Sequence, residues 1–250
     1  MALKYNIATD LDDPATTLTH REIILSKPFL KQIYLDWYAE LNAHSPAPGL
    51  GIVLEIGSGG GFIKDVIPSV KTSDILPLGI CDYTFSAEDI PFGSAELGGI
   101  FMVNVFHHIP KPHLFLREAE RVLRPGGKIV MIEPANTLMS RFIYKRFHHE
   151  PFDEHGGWEI QSTGPLSGSN QALPYIYFTR DKEKFQSSFK SLRVVRKRNH
   201  SPFTYILSGG VSRKAMIPFG AYRLIKGMEG LLSPFAGIFG MFQTIVIEKQ

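Results

Sequence analysis

Short apolar runs alternate with helical stretches in the middle of the chain, between about residues 50 and 134. The apolar runs have the length of buried strands, and the stretches between them repeat apolar residues at helical spacing. Strands that alternate with helices are typical of a parallel sheet covered by helices on both faces. The predicted strands are GIVLEIG (51–57), VKTSD (70–74), LGICDYTF (78–85), GGIFMVN (98–104) and KIVMIEP (128–134), and the predicted helices are GFIKDVIP (61–68) and KPHLFLREAERVL (111–123). The pattern therefore predicts an α/β core at residues 50–134.

Further elements flank this core. Residues 18–42 carry apolar positions at helical spacing with Pro28 as a break, which predicts an N-terminal helical cap over residues 1–45. Residues 46–250 form the main predicted domain, and about residues 136–180 are an irregular cap insertion within it. After the insertion, the pattern predicts a helix at RDKEKFQSSF and strands at SLRVVRKRN and MFQTIVIEK.

The segment VLEIGSGGG (53–61) places four glycines directly after the first strand of the core. A dinucleotide fingerprint would need its third glycine at the position of Phe62, and no P-loop Gly-Lys-Ser/Thr follows. Glycines allow positive φ angles and let a ligand approach the backbone, here at the carboxyl edge of the sheet, where open α/β sheets bind ligands. A helix start behind the loop would add free N–H groups. The segment predicts a ligand-binding loop, and a tight turn without a ligand is the alternative.

A ribose bound over the first strand needs a hydroxyl acceptor at the end of the next strand. Asp74 ends the strand VKTSD, and its carboxylate can accept hydrogen bonds from two hydroxyls. Asp82 is a second candidate, but it lies farther along the chain and within the third strand. We predict that Asp74 binds the ribose; the alternative is that it only caps a turn.

With these residues in place, the chain resembles class I S-adenosylmethionine-dependent methyltransferases, in particular the small-molecule branch with the type 11 methyltransferase domain. The resemblance runs from the glycine segment through Asp74 and SAEDIPF (86–92) to NVFHHIPKPHLFLREAERVLRPGGKIVMIEP (104–134). It implies a Rossmann-like three-layer sandwich with a mostly parallel seven-stranded sheet, whose last strand is antiparallel, and a helical and loop cap. It also implies S-adenosyl-L-methionine as methyl donor and S-adenosyl-L-homocysteine as product.

The resemblance also implies roles for individual residues. Gly57, Ser58 and Gly59 would lie against the methionine part of the cofactor, with Glu55 near its amino group. Asp74 would bind the ribose, Ile75 the adenine face, and Ser86 and Ala87 the adenine amino group, while Asn104 and Val105 would line the methionine side. Family members usually have an aspartate at the position of Ser86, so Glu88 or the backbone alone would have to supply the adenine contact here.

Methyl transfer to a hydroxyl or an acidic carbon favours a nearby base, and histidines are the candidates. His107 and His108 follow the fourth strand, and the loop HHEPFDEH (148–155) adds His148, His149 and His155. His108 and His149 are the catalytic candidates, although packing beside the cofactor and a solvated loop remain open as alternatives. The loop has histidines and carboxylates but no ordered metal-ligand spacing, so we expect no metal site.

Three further regions bear on the acceptor and on partners. The aromatic residues Trp158, Tyr175, Tyr177 and Phe178 would bind a flat or apolar acceptor or else pack in the core. The N-terminal helix would cover the site or else pack on the sheet. The basic run RVVRKRNH (193–200) predicts a solvated edge strand, or else a patch for an acidic ligand. Residues 230–247 carry no charge over a length at which a membrane span is considered, but three glycines and Pro234 interrupt the run, which disfavours a span. Within the apolar segment 208–242, the stretch from Phe219 to Phe242 is amphipathic. It would form a second core layer, a dimer contact or a peripheral contact with a membrane surface.

Composition narrows the class of protein. The 250 residues have a net charge of +3, which is a weak argument for nucleic acid, and the single cysteine excludes an intramolecular disulfide. The polar start MALKYNIATDLDD has no apolar core and predicts no secretory signal, so we expect a cytoplasmic protein. We predict a methyltransferase for a small, partly apolar acceptor. The alternatives are an NAD(P)-dependent oxidoreductase on a similar fold and a non-catalytic S-adenosylmethionine-binding protein.

Overall fold

The computed structural model describes residues 10–161 and 164–250. Its strands form one seven-stranded sheet in the order β3-β2-β1-β4-β5-β7-β6. The strands are β1 (Ile52–Ile56), β2 (Lys71–Asp74), β3 (Tyr83–Thr84), β4 (Leu97–Val103), β5 (Leu123–Pro134), β6 (Leu192–His200) and β7 (Phe242–Lys249). Strand β7 is antiparallel to both of its neighbours, and the other pairings are parallel. The predicted mostly parallel sheet with an antiparallel last strand is confirmed.

Helices in the described residues flank the sheet and extend beyond it. They are α1 (Pro14–Ser26), α2 (Pro28–Ala43), α3 (Pro112–Val122), α4 (Leu138–Phe147), α5 (Leu173–Tyr175), α6 (Lys182–Ser188), α7 (Thr204–Ser208), α8 (Tyr222–Leu231) and α9 (Ala236–Phe239). Pro28 separates α1 from α2, as expected for a residue that cannot continue the preceding helix. Pro112 begins α3 at a first-turn position, where its missing N–H costs nothing.

Two elements of the core differ from their prediction. The segment GFIKDVIP forms only a 3₁₀ turn at Ile63–Asp65, because the Phe62 N–H donates to the hydroxyl of Tyr38 and Pro68 follows too soon for a regular helix. The loop therefore has no helix start behind it. The strand predicted at LGICDYTF is reduced to Tyr83–Thr84, after a turn in which Gly79 has a φ of +69°.

The hydrophobic core lies around the central strands of the sheet. Strand β4 is buried along nearly its whole length, as expected for a central parallel strand covered on both faces. Strand β6 pairs only with β7, so the basic run lies on an edge strand as predicted.

The aromatic residues Tyr177 and Phe178 pack against Phe106 in the core. Core packing is therefore the role of that pair. The predicted loop around them includes residues 162 and 163, which lie outside the described part of the chain.

The apolar segment near the C-terminus leaves much of its surface exposed. Leu224 is 68% exposed and Leu231 is 81% exposed, so the exposed face of α8 is not a second core layer. Within the described residues, no helix is both long enough and apolar enough to cross a membrane. The segment leads directly into β7, the buried strand that the sequence MFQTIVIEK predicts.

Candidate functional site

The glycine loop leaves the carboxyl end of β1 and turns back on itself. Gly57 has a φ of +67°, and a Cβ atom at this position would lie 2.6 Å from Cγ2 of Val105. The Ser58 N–H donates to the carbonyl oxygen of Ser73 at 2.9 Å, and the Gly61 N–H donates to that of Ser58 at 2.7 Å. The absence of a side chain at Gly57 is thus required both by its backbone conformation and by the close approach of the turn after β4.

The N-terminal helices pack directly on this loop. A Cβ atom at Gly60 would lie 2.9 Å from the backbone nitrogen of Arg21 in α1. The Arg21 guanidinium donates to the carbonyl oxygen of Gly61, and the Tyr38 hydroxyl in α2 accepts from the Phe62 N–H at 2.8 Å. The N-terminal cap therefore lies over the glycine loop, which was one of the two predicted placements.

Asp74 ends β2 and faces the same loop. Its Oδ2 accepts a hydrogen bond from the Gly59 N–H at 2.8 Å, and its Oδ1 accepts from the Leu76 N–H at 2.9 Å. Burial raises the pKa of Asp74, and the backbone donors oppose that rise. A carboxylate offers about four acceptor directions. Asp74 therefore caps a turn and retains lone pairs for a further donor.

The competing carboxylate, Asp82, is engaged elsewhere. It accepts from the Lys64 ammonium at 2.9 Å and from the N–H of Thr72 at 2.9 Å. Burial opposes the charged form of Asp82, but Lys64 and Thr72 outweigh that effect and lower its pKa to about 2. Asp82 thus fixes the turn before β3, and Asp74 is the aspartate that contacts the glycine loop.

The segment assigned to adenine is less regular. Ile75, directly after Asp74, is 49% exposed although it is a large apolar residue. Ser86 and Ala87 are half-buried, and the Ser86 hydroxyl accepts from the Glu88 N–H at 3.2 Å. The Glu88 carboxylate accepts from the Lys111 N–H at 2.8 Å, so one of its oxygens is already bound to the start of α3.

The turn after β4 is held by an acid at the end of β5. Asn104 adopts a left-handed conformation with a φ of +56°. One carboxylate oxygen of Glu133 accepts from the N–H groups of Val105 and Phe106, at 2.9 and 2.8 Å. Glu133 is completely buried. A non-glycine residue in this conformation needs such support, since the conformation itself is costly.

Buried side-chain oxygens surround the glycine loop without a hydrogen-bond partner among the described residues. They include Thr17 Oγ1, Glu55 Oε2 and Asn104 Oδ1. Burial raises the pKa of Glu55 to about 7; the Ser58 side chain opposes this rise, and the charge of Asp74 adds to it. Buried acceptors without donors are rare in native proteins because they cost free energy. This set of oxygens fits a ligand that carries hydrogen-bond donors.

Next to Asn104 lies a partly open cavity of about 90 Å³, on the side of the sheet formed by β5 and β7. It is lined by Asn104, His107, His108, Pro134, Tyr144, His148, Glu150, Gln171, Tyr205 and Phe242. The cavity joins the turn after β4 to side chains between Tyr144 and Gln171, so it adjoins the predicted cofactor residues and shares Asn104 with them.

His107 lies between two carboxylates in this cavity. Its Nδ1 is 2.6 Å from Oε2 of Glu133, and its Nε2 is 3.3 Å from Oε2 of Glu150. Burial opposes the protonated form of His107, but both carboxylates favour it and raise its pKa to about 9. The Glu133 carboxylate thus orients the imidazole as well as the backbone turn.

His108, one of the two predicted catalytic residues, also reaches the cavity. Its Nδ1 lies 3.1 Å from the carbonyl oxygen of Gly168, and its Nε2 lies 3.7 Å from Oε1 of Glu150. Burial and the charge of His107 lower the pKa of His108 to about 4. In the neutral ring, the carbonyl requires the proton on Nδ1, so the Nε2 lone pair faces Glu150.

Gln171 positions Glu150 from the opposite side. Its amide nitrogen donates to Oε2 of Glu150 at 2.9 Å and to Nδ1 of His148 at 2.6 Å. The Glu150 N–H also points at Nδ1 of His148, at 3.2 Å. The His148 ring therefore accepts at Nδ1.

The other histidines of the loop are peripheral. His149, the second predicted catalytic residue, has a side chain that is 61% exposed, and its Nε2 lies 3.7 Å from Glu150. His155 has an 88% exposed side chain and does not line the cavity. The structure thus brings together His107, His108, His148 and Glu150, and leaves His149 at the rim.

Sequence reasoning missed Glu133, Glu150, Gln171, Tyr144 and Tyr205 as members of the site. Glu133 had a signal, because an acid at the end of a buried strand points into the carboxyl edge of the sheet. Glu150 had one too, since it directly follows His148 and His149 in a loop of histidines and acids. Gln171 and the two tyrosines had none, because nothing in the local pattern shows which loops meet over a sheet edge.

Residues 54–131 match the model of a methyltransferase domain family. This part of the chain is thus similar to a methyltransferase domain. No curated protein sequence matches the chain significantly.

Solved structures show the same fold over nearly the whole chain. A SAM-dependent methyltransferase from Thermotoga maritima is 15% identical and has a TM-score of 0.58, with 95% of this chain and 97% of that one covered. One from Archaeoglobus fulgidus is 15% identical at a TM-score of 0.52, with coverages of 88% and 94%. Geranyl diphosphate C-methyltransferase from Streptomyces coelicolor A3(2) is 12% identical at a TM-score of 0.50, with coverages of 98% and 87%.

The methyltransferase domain therefore agrees with the resemblance inferred from the glycine segment and from residues 104–134. The matched family binds S-adenosylmethionine, the cofactor that the sequence predicts. The matched residues 54–131 contain the glycine loop, Asp74 and Asn104. They do not contain Glu150 or Gln171, so the cavity is largely built from residues outside the matched domain.

Proposed function

We propose that this chain transfers a methyl group from S-adenosylmethionine to a small, partly apolar acceptor that binds in the cavity next to Asn104. The observation that carries the proposal is the adjacency of two sets of groups. Glycine-loop residues with buried, unpartnered oxygens lie on one side of Asn104, and a cavity lined by imidazoles, a carboxylate and tyrosines lies on the other.

The residues around the loop fit the cofactor. Its methionine part carries an ammonium group, and Glu55 Oε2 and Asn104 Oδ1 are acceptors that no donor from residues 10–161 or 164–250 reaches. Its ribose carries two hydroxyls, and Asp74 keeps acceptor capacity beyond its two backbone donors. Ile75 offers exposed apolar surface for the adenine ring. These roles, together with those of Ser58, Ser86, Ala87 and Val105, remain predictions.

S-adenosylmethionine, when bound, supplies an activated methyl group for in-line displacement, so alignment is the main task of the protein. Gly57 lets the two turns approach closely, and Glu133 fixes the turn that carries Asn104 between cofactor and acceptor. Tyr144 and Phe242 give the cavity apolar surface, and the His107–Glu150 side gives it a polar end. The helix α1 packs against the glycine loop at Gly60.

The polar lining favours an enzyme over the two alternative functions. A non-catalytic binding protein would have a blocked acceptor pocket beside an intact loop, whereas this cavity is partly open. An oxidoreductase is disfavoured by Phe62 in place of the third glycine and by the family match. The domain division at residue 45, the cap insertion at 136–180 and a cytoplasmic location remain predictions, as does peripheral contact between the apolar segment and a membrane.

Calorimetry with S-adenosylhomocysteine, NAD and NADP tests the proposal directly. We expect S-adenosylhomocysteine to bind with one site per chain and neither dinucleotide to compete with it. Tight NAD binding without S-adenosylhomocysteine binding would overturn the proposed function. Once the cofactor is confirmed, candidate acceptors with a hydroxyl and an apolar part are screened by the S-adenosylhomocysteine they release.

A further inference from the structure

We propose that His107, His108 and Glu150 form a binding site for a divalent transition-metal ion of the zinc class at the polar end of the cavity. The proposal goes beyond the methyl donor and contradicts the expectation of no metal that the sequence pattern gave. Metal binding is a property of the chain itself, and its use toward the acceptor rests on the proposed function.

The three side chains converge on one point. The Nε2 atoms of His107 and His108 lie 3.3 and 3.7 Å from the two oxygens of Glu150, and the three ligand atoms lie within 4.8 Å of one another. An ion with metal–ligand distances of about 2.1 Å in tetrahedral geometry holds its ligand atoms about 3.4 Å apart. The two imidazole–carboxylate separations are close to that value, and a contraction of the group from within its 4.8 Å limit would bring all three ligand atoms to one ion.

The outer hydrogen bonds orient both imidazoles as a metal site requires. His107 Nδ1 is bound to the Glu133 carboxylate, and His108 Nδ1 is bound to the Gly168 carbonyl oxygen. Metal-ligating histidines almost always donate their other N–H to a carboxylate or a backbone carbonyl. Both Nε2 atoms are thereby available to an ion, and Gln171 positions Glu150 between them.

The neighbouring group of His148, His149 and Glu150 is a weaker candidate, although its atoms are also close. The Nδ1 of His148 already accepts from Gln171 and from the Glu150 N–H. Its proton therefore lies on Nε2, which is then no ligand. The side chain of His149 is 61% exposed. These two histidines lie around the proposed site and do not form a second one.

Charge balance supports a dication. Glu133 and Glu150 are two largely buried carboxylates in one cluster, and within residues 10–161 and 164–250 neither forms an ion pair with lysine or arginine. Burying carboxylates without compensating charge is costly. A protonated His107 compensates only one of the two negative charges, whereas a divalent ion held by neutral imidazoles balances both.

Two nitrogens and one carboxylate favour zinc, iron, cobalt or manganese over the all-oxygen ions magnesium and calcium. Three protein ligands leave at least one coordination position open toward the cavity, as in catalytic zinc sites. Such a position would take an oxygen atom of the acceptor. The acceptor class then narrows to molecules with a hydroxyl or carboxylate that can coordinate the ion.

Metal binding is tested on the untagged full chain after treatment with a chelator. Co²⁺ is titrated while its visible d–d absorption is recorded, Zn²⁺ is then added as competitor, and Mg²⁺ serves as the oxygen-preferring control. We expect one Co²⁺ per chain, displaced by Zn²⁺ and not by Mg²⁺. Absence of a saturable Co²⁺ signal would overturn the proposal and leave only an ion pair between His107 and Glu150.

Variants locate the ion. Loss of an outer hydrogen-bond partner of a ligand costs about 10- to 100-fold in metal affinity, so Glu150→Gln and His108→Ala should each cost at least about 100-fold. His155→Ala removes an exposed histidine from the same loop and should bind as the parent does. Equal affinity in Glu150→Gln and the parent would place the ion elsewhere and overturn the assignment.

Calorimetry with S-adenosylhomocysteine on the same samples separates the two proposals. We expect Glu150→Gln to keep S-adenosylhomocysteine binding and a cooperative thermal transition while it loses Co²⁺. A chain that binds S-adenosylhomocysteine but no metal refutes the metal site alone. A chain that binds metal but no S-adenosylhomocysteine refutes the methyl donor and leaves the metal site intact.

Discussion

The two halves of the site are built in different ways. The half around the glycine loop uses short turns that directly follow strands β1, β2 and β4, and many of its contacts are backbone hydrogen bonds. The half around the cavity uses side chains from the β4 turn, the cap insertion, α7 and β7. Strand ends place the first half by sheet geometry alone, whereas the second half depends on how several loops pack. Substitutions in the first half should therefore have the larger effects.

The largest effect is expected for Gly57→Ala. The new Cβ atom would meet Val105 at 2.6 Å, and the residue would keep a φ of +67° that alanine rarely adopts. A left-handed alanine costs about 1–2 kcal/mol, and overpacking costs about 1–3 kcal/mol more. We expect a lower free energy of unfolding in urea and no measurable S-adenosylhomocysteine binding.

Gly79→Ala is the matched control for that experiment. Gly79 has a φ of +69°, but a Cβ atom there would meet nothing within 4 Å. It should therefore show the backbone cost alone and keep S-adenosylhomocysteine binding. Equal losses of stability and of S-adenosylhomocysteine binding in both variants would mean that the contact between Gly57 and the turn after β4 contributes to neither.

The next effect concerns the carboxylate at the end of β2. Asp74→Ala removes the proposed ribose acceptor and the acceptor for the Gly59 N–H, so S-adenosylhomocysteine affinity should fall about 10-fold or more. Asp82→Ala removes an aspartate that binds Lys64 and Thr72, and its calorimetric affinity should change less. An unchanged affinity in Asp74→Ala, with a loss in Asp82→Ala, would transfer the ribose role to Asp82.

These differences explain what the sequence could predict. The glycine loop, Asp74 and Asn104 follow predicted strands, and all strands of a parallel sheet end at one edge, so their proximity was predictable. Glu150 and Gln171 are distant from His107 along the chain. Only the packing of residues 136–180 brings them close to it in space. The failed helix at residues 61–68 has the same origin, since Tyr38 from a distant helix binds the N–H that would begin it.

A smaller effect is expected from pH. Burial raises the pKa of Glu55 from 4.5 to about 7, whereas pairing with the cofactor ammonium favours the ionised form. Below pH 7, binding therefore releases a proton from Glu55. As the pH decreases from 7, the affinity for S-adenosylhomocysteine should fall by up to about tenfold per pH unit. Above pH 7, Glu55 is already ionised, and the affinity should level off.

Calorimetry with S-adenosylhomocysteine measures this dependence from about pH 5.5 to about pH 8.5, a range centred on the pKa of Glu55. Glu55→Gln carries no titrating proton, so its affinity should be weaker at high pH and nearly constant across the range. The same slope in parent and variant would show that another group titrates and that Glu55 does not face the ammonium.

The smallest effect is a change in the reactivity of Cys81, the only cysteine in the chain. Burial raises the pKa of this half-buried thiol to about 11, with the charges of Asp74 and Glu55 adding to it. Since the thiolate is the reactive form, alkylation by iodoacetamide should be slow. A ligand on the glycine loop would shield the thiol further, so S-adenosylhomocysteine should slow the reaction severalfold, as followed by mass spectrometry. His108→Ala alters only the cavity half and should preserve that protection; if it abolishes protection, the two halves do not bind their ligands separately.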